Sequence, residues 1–157
     1  MAKLENLLLL VQSLSKSEKR YFKLFSNLQE GEKDYQILFY LLDNQSINLE
    51  EIKVKFLKKC NNASFEIASV HLYQVLIKAL INFEKGKSVE TELLSIIQEI
   101  KILFDKSIYE ECLKLVSKAK KLALKHEKYT YFLLIARLEL QYITRLEFVD
   151  ISEEELL

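Results

Sequence analysis

The chain predicts an all-α protein built of antiparallel helical hairpins, and three observations carry that reading. There is no proline and only two glycines in 157 residues, so the strongest backbone punctuators are nearly absent. Half of the residues are hydrophobic. They recur three and four positions apart, the period of a helix with one apolar face, rather than alternating as they would in a strand. Turns must then come from short polar runs, as they do between stacked helices.

Eight helices follow from the stripes and the breaks between them. The first runs from about Lys3 to Gln12 and ends before Ser15-Lys16-Ser17-Glu18. There a serine at the cap and a glutamate three residues on form a capping box that opens the second helix. The second helix places Tyr21, Leu24, Phe25 and Leu28 on one face and stops at Glu30-Gly31, where glycine suits the left-handed closing residue. Helix three, about Lys33 to Asp43, buries Tyr35, Leu38, Phe39 and Leu42, and Asn44-Gln45-Ser46 breaks the chain after it. Helix four, about Leu49 to Cys60, has a narrow stripe of Ile52 and Phe56 backed by lysines, and ends at Asn61-Asn62. Helix five, about Ser64 to Lys85, has one stripe of Ala68, Leu72, Val75, Leu76, Ala79, Leu80 and Phe83 and a second of Ile67, Val70, Ile77 and Ile81. Apolar on two sides, it is expected to be the central helix.

Gly86 and Ser88 separate it from helix six, about Val89 to Lys106, which turns Leu93, Ile96, Ile97, Ile100, Leu103 and Phe104 inward. Helix seven runs from about Tyr109 to Lys125. Helix eight, about Tyr129 to Phe148, turns Tyr131, Leu134, Ile135, Leu138, Tyr142 and Leu146 inward. The length fits one all-helical domain over 1–157, with an N-terminal helical region over 1–87 and repeat-like helices over 88–148.

From Leu93 to His126 the spacing resembles a tetratricopeptide repeat, a helix-turn-helix unit of about 34 residues. The matching stretch reads LFDKSIYEECLKLVSKAKKLA. Tyr109 stands where that family has its turn aromatic, Cys112 and Ala119 where it has small residues at the helix crossing, and Val116 where it has a core aromatic. Ser107 replaces the usual turn glycine, Leu124 stands near the usual terminal proline, and Ile100 occupies the small position of the first helix. The helix from Tyr129 fits as the first half of another unit. The resemblance implies a tetratricopeptide-like α-α superhelix. The N-terminal phrase SLSKSEKRYFKLF is similar to the opening of uncharacterised bacterial proteins that place a helical region before such repeats.

Charge and composition restrict the function. Twenty-three lysines and arginines balance twenty-three aspartates and glutamates, leaving no global field to gather nucleic acid or an anionic membrane. The only apolar run that resembles a targeting segment, Leu7 to Val11, is too short to be a signal core or a membrane span, so the cytoplasm is the expected location. Cys60 and Cys112 read as buried, reduced thiols. His71 lies among apolar neighbours as a core or boundary histidine, and His126 sits at the C-terminal end of helix seven, where a partly charged imidazole meets the helix dipole favourably. Neither has metal-ligand spacing, and Gly31 and Gly86 stand too far apart to build a phosphate-cradling loop. Glu110-Glu111 and the run Glu153 to Glu155 lie at a helix end and in the tail. No catalytic residue, cofactor or metal is expected.

Lys114, Lys118, Lys121 and Lys125 share one face of helix seven and read as a solvated stripe. The segments Tyr35 to Asp43, Leu49 to Phe56 and Ser64 to Leu80 have the order of a helix-turn-helix. The third would have to read bases, yet its first turns hold no lysine or arginine.

A non-catalytic protein-interaction or scaffold module is therefore the expected function, with a nucleic-acid-binding regulator using the N-terminal half as the alternative. The partner is an unidentified protein or peptide. If helices six and eight line the concave surface, Gln98 and Lys101 on one and Arg137, Gln141 and Arg145 on the other are its polar contacts, the arginines suited to bidentate carboxylate binding. Phe132, Leu133, Leu140 and Ile143 exceed what one preceding hairpin buries. Either more helices follow Leu157, making this the N-terminal part of a longer protein, or the chain self-associates through helix eight.

Overall fold

The computed structural model describes residues 4–28, 34–44, 48–60 and 64–147. Within them the chain forms eight helices and no strand: α1 (Leu4–Ser13), α2 (Lys16–Asn27), α3 (Asp34–Asp43), α4 (Leu49–Lys59), α5 (Phe65–Glu84), α6 (Val89–Asp105), α7 (Tyr109–Lys125) and α8 (Tyr129–Glu147). The breaks expected at Gly31, at Gln45-Ser46 and at Asn61-Asn62, the helix end at Phe148, and the tail from Ser152 fall outside the described residues. Two compact units result, Met1–Phe83 and Glu84–Leu157.

In the first unit α2 opens as its sequence requires. The Glu18 backbone N–H donates to Ser15 Oγ at 3.3 Å and the Ser15 N–H to Glu18 Oε2 at 2.6 Å, a closed capping box. α2 buries only part of the expected face, since Tyr21 and Phe25 pack against the core but Leu24 and Leu28 do not. Leu24 and Leu28 are 59% and 84% exposed, whereas Phe22 and Ser26 are buried. Phe22 sets this orientation by packing its ring 4.4 Å from that of Phe39. The buried hydroxyl of Ser26 is fully employed, donating to the Lys23 carbonyl at 3.1 Å and accepting from Gln36 Nε2 at 3.0 Å. A buried polar group so satisfied carries little penalty.

Around these residues the core gathers Leu7 and Val11 of α1, Leu38 and Leu42 of α3, Ile52 and Phe56 of α4 and Leu72 and Leu76 of α5. α5 buries one stripe only. Ala68, Leu72, Val75, Leu76 and Ala79 are buried, while Ile67 is 71% exposed and Val70 and Ile81 are exposed as well, so the two-sided burial expected of a central helix is not found. The two stripes lie on opposite sides of the cylinder, and the other helices of this unit pack against one arc. His71 is exposed rather than in the core, with its ring 4.6 Å from that of Tyr35 at the boundary.

The second unit is three helices joined by turns of three residues. Both turns lack glycine and both take the left-handed conformation, Ser107 at φ 60° and Glu127 at φ 55°. At the first, the Ile108 N–H donates to the Leu103 carbonyl and the Ser107 N–H to the Phe104 carbonyl, each at 2.9 Å. At the second, Lys128 donates to the Ala123 carbonyl at 2.8 Å and Glu127 to the Leu124 carbonyl at 3.1 Å. These paired bonds are the Schellman closure, which satisfies carbonyls that the helix end leaves open. At the other end of α6, Ser88 and Thr91 close a capping box of their own.

α6 and α7 pack antiparallel along a seam of small residues. Cys112, Val116, Ala119 and Ala123 are all buried, and the Cys112 thiol donates to the Ile100 carbonyl at 3.5 Å. Side chains of this size permit close approach of two helix backbones. Ala119→Leu is expected to overpack the crossing and destabilise the protein by about 1–3 kcal/mol, measured by chemical denaturation; an unchanged midpoint would show that the crossing has spare room. The left-handed turns give an opposite expectation. Glu127→Gly removes the steric penalty of a side chain at positive φ and is expected to stabilise by up to about 1 kcal/mol, net of the extra freedom of the unfolded chain. Ser107→Gly should gain less, because it also deletes the bond that the Tyr109 hydroxyl donates to Ser107 Oγ.

Candidate functional site

The helices of the second unit determine which of its side chains face solvent. Lys114, Lys118, Lys121 and Lys125 each stand two residues after a member of the α7 seam, a rotation of about 200°. The buried stripe therefore turns all four lysines outward, and all four are exposed. Lys114 is engaged by Glu110 at 2.7 Å and Glu111 at 2.9 Å. His126 is the C-cap of α7, as its position suggested.

α6 and α8 run parallel on the same side of α7. Near their N-terminal ends Lys128 forms an ion pair with Glu90, and towards their C-terminal ends the ring of Phe104 stacks on that of Tyr142 at 3.7 Å with 10° between planes. Burial pushes the Tyr142 hydroxyl above its ordinary pKa, with Cys112 and Asp105 adding to the effect. Burial likewise raises the Cys112 thiol, and Cys60 is raised first by burial and then by Asp34. Both cysteines are free and buried, a setting that keeps them as inert thiols.

On this frame Gln98 and Lys101 of α6 are exposed, between Leu94 and Ile102, which are exposed too. Arg137, Gln141 and Arg145 of α8 are exposed, four residues apart along one edge. Among the described residues no hydrogen bond or ion pair joins the two groups or ties up any of the five. Beside the arginines lies an apolar strip that expectation placed only roughly. Leu133 is 67% exposed and Leu140 66%, with Tyr129 and Ile143 on the same side, whereas Phe132 is half-buried. Leu134, expected to point inward, is exposed, and Ile135 and Tyr142 fill the inner face instead.

The first turns of α5, where a base-reading helix would need cations, present Glu66, Ile67, Val70, His71 and Gln74 around a shallow depression. Glu66 is held by Lys53 at 3.3 Å. One basic surface was not singled out from the sequence. Lys16, Lys19, Arg20 and Lys23 of α2 line, with Leu24, a depression of about 420 Å³. Their spacing of three, one and three within SLSKSEKRYFKLF was the available signal. Among the described residues no group of three or more histidine, cysteine, aspartate or glutamate side chains is arranged to hold a metal ion, and no helix is long and apolar enough to cross a membrane.

The Glu90 to Lys128 pair makes a pH-dependent contribution whose sign is fixed. The Lys128 ammonium draws the Glu90 carboxyl below the usual carboxylate range, and Glu90 raises Lys128 in return. A lowered acid stabilises the fold above its unfolded-state pKa and loses that contribution as pH falls through the folded value. The melting temperature of Glu90→Gln is therefore expected to fall short of the parent at neutral pH, and the two should converge as pH falls below the usual carboxylate range. A gap that persists into acid would assign the loss to packing instead. No protein-family model, no curated protein and no solved structure matches this chain.

Proposed function

We propose that the chain is a non-catalytic protein-interaction or scaffold module of the cytoplasm, in which 88–148 stack as tetratricopeptide-like hairpins. The observation that carries this is the outer side of α8, where Leu133 and Leu140 lie open to solvent beside Arg137, Gln141 and Arg145. An apolar strip edged by exposed guanidinium groups fits a partner segment that brings leucine-like side chains and carboxylates together. Gln98 and Lys101 on α6 supply a second polar edge under the same reading. The partner is a protein or peptide, or a second copy of the chain through α8.

A nucleic-acid-binding regulator is the less favoured reading, because the exposed start of α5 offers an acid and apolar side chains where phosphate contacts would be needed. The test compares the parent chain with Leu133→Asp/Leu140→Asp and with Arg137→Glu/Arg145→Glu, each used as bait and each sedimented over a range of concentrations. A captured protein or a self-associated species lost in both variants supports the proposal. Retention of every captured species by both variants, or retention on duplex DNA that falls steeply with salt, sinks it.

A further inference from the structure

In the first unit we infer that α2 is a docking surface for an acidic amphipathic helix of a partner protein. The inference does not rest on the α8 reading, since it concerns other residues of another unit. Lys16, Lys19, Arg20 and Lys23 fall within about 100° of one another around the helix, and Leu24 follows on the adjoining arc. The one carboxylate of α2, Glu18, lies on another side, where its Oε2 accepts from the Ser15 backbone. Of the four cations Lys19 is the one with a carboxylate among the described residues, Asp43 at 2.7 Å. Among the described residues Lys16 and Arg20 have no partner, and Lys23 lies 5.1 Å from the centre of the exposed Tyr40 ring without an acid.

Among the described residues three cations thus have no carboxylate partner, in a chain of zero net charge many of whose described carboxylates are engaged elsewhere. From Lys16 to Lys23 is seven residue steps, about 10 Å along the helix. Carboxylates spaced three and four apart on a facing helix repeat over the same distance, and Arg20 has the planar fork that holds one in bidentate fashion. Leu24 and Leu28, exposed one turn apart on the flank beyond Arg20, give the apolar strip that such a helix needs for its leucine side, and Tyr40 borders the cations on the opposite flank. Nucleic acid fits less well, since four cations over about 10 Å neutralise few phosphates and one of them is already paired with Asp43. α3 beside this surface adds that carboxylate and Tyr40 rather than further cations. An anionic bilayer would want a broader apolar face than two leucines and a tyrosine.

The test uses the full chain and a labelled synthetic helical peptide with glutamates spaced three and four apart beside a row of leucines. Its matched control has lysine at each glutamate position. Fluorescence anisotropy should show binding of the acidic peptide only, weakened at least tenfold between about 50 mM and about 500 mM salt. Arg20→Glu/Lys23→Glu should weaken it by about tenfold or more with the melting temperature unchanged, and Leu24→Asp should weaken it without altering the salt dependence. Zero-length carboxylate-to-amine crosslinking on the parent chain, which needs no variant to fold, should place the peptide on Lys16 and Lys23. Absence of binding, equal binding of the lysine peptide, crosslinks elsewhere, or a preference of the same residues for duplex DNA or phosphatidylserine vesicles would overturn the inference. Because α8 is untouched in all of these variants, such a failure leaves the α8 proposal standing.

Discussion

The second unit depends on the closeness that Cys112, Val116, Ala119 and Ala123 allow along one edge of α7. Larger side chains there would hold α6 at a distance, and Cys112 would no longer reach the Ile100 carbonyl. The same seam orients everything else on α7. It puts the four lysines on the far side and leaves Lys120 at the flank, where it reaches Glu139 of α8 at 2.6 Å and sits 5.9 Å from the Phe132 ring. With α7 thus oriented, α8 can present to α6 the tyrosine that stacks on Phe104. The exposed leucines and arginines of α8 are what remains once that inner face is spent.

How much of this was legible in the sequence differs from helix to helix for physical reasons. α7 was read to its end residues because a run of small buried positions alternates with lysines and admits one orientation only. α2 was read correctly at its start and only in part on its face. Counting apolar residues favours Tyr21, Leu24, Phe25 and Leu28, yet the structure packs only Tyr21 and Phe25 of these against the core and buries Phe22 and Ser26 most deeply. A serine counts as buried only when partners distant in sequence, here Gln36, satisfy its hydroxyl. The second stripe of α5 was equally ambiguous, since isoleucine and valine look the same whether or not another helix covers them. For the candidate site, the exposure of Gln98, Lys101, Arg137, Gln141 and Arg145 followed from the helical period alone. The basic arc of α2 did not, because its isolation depends on where Asp43 and Glu18 end up, which is a fact of packing.

Zero net charge describes the chain as a whole and conceals this local separation. Carboxylates are consumed at helix starts and in clamps: Glu18 in a cap, Glu66 against Lys53, Glu90 against Lys128, Glu139 against Lys120. Among the described residues cations outnumber their local partners on α2 and along the outer edge of α8, and in both places leucines stand beside them. Surfaces of mixed character like these discriminate among partners by charge while drawing binding energy from apolar contact.

The three-residue turns of the second unit have a kinetic consequence. Each of α6, α7 and α8 finds its main neighbour immediately next in the chain, with only Lys106 to Ile108 or His126 to Lys128 to close between them. Loop closure of that length takes far less time than the search for distant contacts that slows sheet proteins, so assembly is limited by helix formation and docking. A nascent chain does not need its distal end to complete the α6–α7 pair. The core of the unit still lacks Ile135 and Tyr142 until α8 is made, so the exit of α8 is the step that completes it.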